Sequence, residues 1–227
     1  MIPTRFADRL EAGRLLAERL LHLKDSNPVI LALPRGGVPI ACEIARLLSA
    51  PVDVVLVRKI GAPQNEEYAI GAISDGEQPD IYIDQDLVAQ LRVSPDYLRE
   101  TEQAALREIE RRRRLYLGAH PPIPIAGHTA IVVDDGIATG ATMLAALQAT
   151  RRRNPARLVL AAPVASAEAA RRLAREVDES VILSVPEPFH AVGQFYRSFP
   201  QLTDQEVVQQ LDAARRKHGS GAGGDAA

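Results

Sequence analysis

Residues 131–143 read IVVDDGIATGATM. Three apolar residues end in two adjacent carboxylates, and a turn of glycines and threonines follows. In an open α/β sheet, ligands bind where strands end at their carboxyl edge, and Asp134 and Asp135 stand at such an end. The turn opens a helix predicted over residues 141–153. Amide groups at a helix N-terminus carry partial positive charge and accept anions. Gly140 permits close backbone approach, and Thr139 and Thr142 add hydroxyl donors. Two acids pointed at an anion would repel it, so a single ligand satisfies both halves only if it is bipolar. Its anionic end would sit on the turn and its hydroxyls at the carboxylates. A plain strand–turn–helix capped by one of the acids is the alternative.

Working outward, apolar strands alternate with helices. A helix is predicted over residues 8–23, with Asp8 and Glu11 spaced as a capping box and Leu10, Ala17, Leu20 and Leu21 at helical spacing. A strand follows at 29–33, ending in Pro34-Arg35-Gly36-Gly37, then a helix to about residue 48 and a β-branched strand at 52–57. Beyond residue 143 come a strand at 158–162, a helix near 167–177 and a strand at 181–185. This alternation predicts an α/β fold with a parallel sheet flanked by helices. A long insertion at 58–127 interrupts it. The first part is polar and carries Gly and Pro, which reads as a mobile loop with a short hairpin at 68–73 and 81–83. The second, 95–117, reads as a helix with Glu108→Arg112 and Glu110→Arg114 pairs. Residues 1–218 read as one domain and 219–227 as a flexible tail.

The 227 residues are 46% hydrophobic and 25% charged, with a net charge of −2. Such a balance gives no general affinity for nucleic acid or membrane. Cys42 is the sole cysteine, so an internal disulfide is unavailable, and no Cys/His cluster has zinc-ligand spacing. It reads as a small core residue. The first residues carry acids and lack a signal-peptide core, and no apolar run reaches the ~18–20 residues of a membrane span, so a cytoplasmic location is expected. Arg111–Arg114 is a dense basic run, read as a solvated helix face because two of its members have Glu partners one turn back. Glu66 and Glu67 read as surface charge.

A ribose 5-phosphate unit is bipolar in the required sense, with a diol for the acids and a phosphate for the turn. On VVDDGIATGAT the sequence resembles the type I phosphoribosyltransferases, whose signature is an apolar strand, two acids and a Thr-Gly phosphate loop. LPRGG at 33–37 is similar to their pyrophosphate loop, where Gly36 and Gly37 expose amides and Arg35 offers a fork of donors. Arg58 and Lys59, placed at the end of the 52–57 strand, match a basic pair that touches pyrophosphate in several members. The resemblance extends to uncharacterised bacterial phosphoribosyltransferase-domain proteins with LPRGG, VRKIG and VDDGIATGAT. It implies transfer of a phosphoribosyl group from phosphoribosyl pyrophosphate to an unidentified acceptor, a nucleobase being one option. Asp134 and Asp135 would be the catalytic acids. Arg35, Gly36, Gly37, Arg58, Lys59, Gly136, Ile137, Ala138, Thr139, Gly140, Ala141 and Thr142 would bind substrate. Mg²⁺ would be held through the substrate, with Asp134 or Asp135 reaching it by way of water. Homodimers are common in the family.

The resemblance also implies a flexible loop after Lys59 that excludes water, and a C-terminal hood at 185–203, completed by the N-terminal segment, over the acceptor. Phe189, Phe195, Tyr196 and Phe199 read equally as a stacking wall and as core anchors, and His190 as a surface residue. The 6-oxopurine members carry an acid where Ala138 stands here, which counts against their proton relay. A non-catalytic phosphoribosyl pyrophosphate or nucleotide-binding regulator on the same fold is the competing function.

Overall fold

The structure is a computed structural model that describes residues 3–75, 79–118 and 120–221. At its centre are five strands: β1 (Pro28–Ala32), β2 (Val52–Val54), β6 (Thr129–Val133), β7 (Arg157–Val164) and β8 (Glu179–Ser184). They form one parallel sheet in the order β2-β1-β6-β7-β8. Ile30 stands beside Ile131, which stands beside Val159, so the three central strands run in step. Alternate residues serve opposite faces. Ile30, Ile131 and Val159 pack with α1 (Arg9–Arg19), α2 (Gly37–Leu48) and α7 (Asp204–Gly221), while Leu31, Val132 and Leu160 pack with α5 (Ala141–Arg152) and α6 (Ala167–Leu173). A sheet covered on both faces needs apolar side chains at every position, hence the unbroken apolar runs.

The first helix is shorter than predicted, and a single 3₁₀ turn, Leu21–Leu23, follows it. Asp8 caps it by accepting from the Glu11 amide, and the Glu11 carboxylate in turn accepts from the Ala7 amide. Leu10 and Leu21, placed on its apolar face by spacing, are exposed, and Ala12, Leu16, Ala17 and Leu20 form the buried stripe.

Two larger departures concern the insertion. The predicted strand at 52–57 divides. Val55 still donates to Ala32 of the main sheet, but Leu56 already accepts from Asp75, and the chain enters a second sheet. Its strands are β3 (Val57–Ala62), β4 (Asn65–Ser74) and β5 (Asp80–Ile83), antiparallel and in that order. The segment read as a mobile loop is therefore a three-stranded arm. The short hairpin inside it is as expected, with Ala72 opposite Tyr82 and Ile73 opposite Ile81. Ile60, Ile70 and Ile73 are buried against α4 (Pro95–Leu117), a helix with the predicted bounds, capped by Ser94 and carrying proline at its first position. Both predicted Glu–Arg pairs form on it. Between arm and helix lies a short helix, α3 (Gln85–Gln90).

Helix α7 was not foreseen. It buries Val207 and Leu211 against α2, and Arg215 reaches to 3.6 Å from the buried Asp53. It extends to Gly221, so residues 219–221 of the expected tail are helical, while 222–227 lie outside the described residues, as do the side chains of Glu66 and Glu67. Among the described residues no helix is long and apolar enough to cross a membrane.

Candidate functional site

Strands β1 and β6 are neighbours, so the loops leaving their carboxyl ends lie side by side. The Leu33 amide donates to Val133 (2.8 Å) and the Gly37 amide to Leu33 (3.0 Å). Both glycines of LPRGG stand where no side chain fits. A Cβ on Gly36 would lie 2.0 Å from an Asp135 carboxylate oxygen, and one on Gly37 would lie 2.5 Å from the Val133 carbonyl. Their small size thus brings the β1 loop against the acid pair. The Pro34–Arg35 peptide is cis. Arg35 extends toward α7, with Nη1 3.9 Å from Asp204, a carboxylate that also accepts from the Tyr116 hydroxyl.

The acids are held in different ways. Asp134 Oδ1 accepts from the Asp135 amide at 2.9 Å. Asp135 Oδ2 accepts from Arg9 Nε at 2.8 Å, with the two side chains only 13% and 10% exposed. Arg9 is itself fixed. Its Nη1 donates to the Pro200 carbonyl at 2.8 Å, and its guanidinium carbon lies 3.8 Å from the Phe199 ring centroid. The Tyr196 hydroxyl donates to the Asp135 carbonyl at 2.6 Å. The remaining carboxylate oxygen of each acid, Asp134 Oδ2 and Asp135 Oδ1, has no side-chain partner among the described residues. Each acid thus commits one oxygen to its own orientation and leaves the other without a side-chain partner among the described residues.

Burial pushes the Asp134 carboxyl well above its ordinary range, and the neighbouring Asp135 charge pushes the same way. Asp135 is also raised by burial, with Arg9 pulling it back. Arg9 therefore relieves the electrostatic conflict posed by two acids beside an anion turn. Sequence reasoning missed it, because an arginine in a helix's first turn carries no local mark of a partner 126 residues away.

The turn after the acids has a fixed beginning and an open crest. Ile137 is buried, with its amide donating to Val164 and its carbonyl accepting from Ser166. Its side chain anchors the turn in the core, and its amide and carbonyl are both committed within the protein. Ala138 and Thr139 are exposed, and Gly140 holds φ +75°, the left-handed conformation that leads into α5. Among the described residues the amides of Ala138, Thr139, Gly140, Ala141 and Thr142 have no protein acceptor.

In front of these loops lies a cleft of about 620 Å³, walled by Leu33, Pro34, Arg58, Lys59, Tyr97, Arg112 and Thr142. Arg58 and Lys59 are not at the end of a parallel strand, as expected, but inside β3 of the arm. They still face the same cleft. On the other side, Tyr196 is buried, with its ring 5.5 Å from Phe6 and 4.8 Å from Phe199, so these aromatics anchor the C-terminal segment to the core. Phe189 and Phe195 form a separate, half-buried pair at 5.1 Å. His190 is exposed. Burial pushes the Cys42 thiol up to about 12, which keeps it an inert thiol.

A parallel sheet with an acid pair and an amide-lined turn at its carboxyl edge is the ligand-binding form of an open α/β protein. The comparisons narrow this. The phosphoribosyl transferase domain model matches residues 7–197. Two proteins of Mycobacterium tuberculosis, from strains CDC 1551 and H37Rv, are provisionally named phosphoribosyl transferases. Each is 43% identical over 222 residues, covering 98% of this chain and 50% of its own length. The chain thus spans about half the length of the curated relatives it matches. The crystal structure of TT1426 from Thermus thermophilus is 44% identical with a TM-score of 0.75, over 91% of this chain and 97% of that one. The chain belongs to the phosphoribosyl transferase domain family.

Proposed function

We propose that this domain transfers a phosphoribosyl group from phosphoribosyl pyrophosphate to a small acceptor, releasing pyrophosphate. One observation carries the reading: an acid pair with one unpartnered oxygen on each side chain touches a glycine loop on one side and runs into a turn of unpaired amides on the other. The turn at Ala138–Thr142 would hold the 5-phosphate. Asp134 Oδ2 and Asp135 Oδ1 would accept from the ribose hydroxyls. The Arg35 and Gly36 amides and the Arg35 guanidinium, together with Arg58 and Lys59 along the cleft, would hold the pyrophosphate, while the Gly37 amide is already committed to the Leu33 carbonyl.

As the bond to pyrophosphate breaks, positive charge grows on the ribose ring. The two carboxylates would stabilise it, and charge-assisted bonds to them would contribute about 1.5–3 kcal/mol each. Among the described residues no cluster of three acidic, histidine or cysteine side chains forms a metal cage. A Mg²⁺ ion brought by the donor would be held through the substrate, with Asp134 or Asp135 reaching it by way of water, and would supply charge neutralisation for the departing pyrophosphate.

The test is incubation with phosphoribosyl pyrophosphate, Mg²⁺ and a panel of bases, following pyrophosphate release. Base-dependent release supports transfer. Tight binding of the donor with no release under any acceptor assigns the site to a sensor. Absence of donor binding removes the reading altogether.

A further inference from the structure

The backbone of the anion turn is held from behind by one short helix. Ser166 Oγ, at the start of α6, donates to the Ala138 carbonyl at 2.7 Å, and Arg172 Nη2 donates to the Thr139 carbonyl at 2.8 Å. The packing agrees, since a Cβ on Gly140 would meet Leu173 at 3.1 Å and Ala169 at 3.3 Å, both on α6. In a trans peptide the carbonyl and the following amide point in opposite directions. Two successive carbonyls drawn toward α6 therefore turn the Thr139 and Gly140 amides away from it, and these amides have no protein acceptor among the described residues.

We infer that α6, through Ser166 and Arg172, is a back plate that pre-orients the amides of the turn for a phosphomonoester, which makes both side chains positioning residues for the 5-phosphate end of the ligand. The inference rests on the proposed function for the identity of that ligand. Orientation fixed before binding removes an ordering cost that the ligand would otherwise meet. Neither residue lies in the pyrophosphate cleft, so the effect is confined to one end of the donor.

Titration calorimetry with two probes separates the ends: ribose 5-phosphate for the turn, and magnesium pyrophosphate for the β1 loop and arm. Arg172→Met and Ser166→Ala should each weaken ribose 5-phosphate roughly three- to tenfold, the range of one net hydrogen bond, and leave pyrophosphate affinity unchanged. Arg172→Lys should recover part of the loss, because a lysine still donates to the Thr139 carbonyl. In the ligand-free protein, Arg172→Met should move the Gly140 amide nitrogen resonance, and Ser166→Ala that of Thr139, the amide following each released carbonyl. Wild-type binding of ribose 5-phosphate with variants indistinguishable from it, or equal losses for both probes, overturns the back plate and leaves the proposed function standing. A wild-type protein that binds neither probe overturns the proposed function and the inference with it.

Discussion

The parallel sheet and the antiparallel arm use the same chemistry to opposite ends. In the parallel sheet every residue of β1 and β6 is buried, so the strand interiors only pack, and chemistry appears where the strands stop. In the arm, β3 buries Ile60 while Arg58 and Lys59 of the same strand line the cleft. Strand ends give a position fixed by the whole core. A strand face on a three-stranded sheet gives a position that can shift without unfolding the rest. The acids belong to the first kind and the cleft cations to the second.

One pair of glycines tests this difference with nearly equal clashes. A Cβ at Gly37 would lie 2.5 Å from the Val133 carbonyl, and one at Gly71 would lie 2.5 Å from the Tyr82 carbonyl. Both obstacles are backbone and cannot swing aside. Gly37→Ala should cost about 3 kcal/mol of global stability and abolish donor binding, since β6 cannot retreat from both neighbours. Gly71→Ala should instead part the edge strand β5 from β4, leaving the main thermal transition in place. Hydrogen exchange should show faster exchange confined to the β4–β5 pair. Equal losses of melting temperature in the two variants would erase the distinction.

The acid pair should split in the same manner, though less widely. Asp135→Asn should harm folding as well as turnover, because Arg9 is 8% exposed and relies on Asp135 for its counter-charge. Asn keeps an acceptor but loses the charge, so the variant should lose about 2 kcal/mol of stability as well as activity. Asp134 has no cation in direct contact among the described residues. Its carboxyl is pushed upward by burial, so the folded chain holds that proton more tightly than the unfolded chain, whose aspartates titrate at about 3.9. Stability from this group is complete below that pH and is lost as pH rises through the folded value. Asp134→Asn should therefore raise the melting temperature at pH 7.5 while removing transfer activity, and the gain should shrink as pH falls toward 4. A melting temperature that drops at pH 7.5 would show that the buried charge is not a cost to the fold.

What was legible in the sequence follows the same divide. IVVDDGIATGAT announced its strand, acids, turn and helix because each step is local, and LPRGG did likewise. The arm was hidden because its inward positions, Ile60, Ile70 and Ile73, are separated by glycines and charges and only gather once the strands pair with a register shift at Gly61. Helix α7 was readable in principle, since Val207, Leu211 and Ala214 recur at helical spacing. Arg9 was not readable, because its meaning depends on Asp135, Phe199 and Pro200 meeting in space. The acids could be named from their order along the chain, but their division of labour depends on a contact between the first helix and the loop that leaves the sixth strand.

The smallest expected effect concerns how the arm is tied to its helix. The Tyr97 hydroxyl, near the start of α4, donates to the Gly61 carbonyl at 3.0 Å, at the point where the register of β3 slips. A slipped register leaves a carbonyl outside the regular ladder, and a side-chain donor supplies what the ladder does not. Tyr97→Phe removes that donor and little else, so the arm should loosen by about 1 kcal/mol. Because Tyr97 also walls the cleft beside Lys59, the loss should appear as weaker magnesium pyrophosphate binding, with ribose 5-phosphate binding and the main melting transition unchanged. If both ligands weakened together, the arm and the parallel sheet would be acting as one rigid body, and the cleft cations would be as firmly placed as the acids.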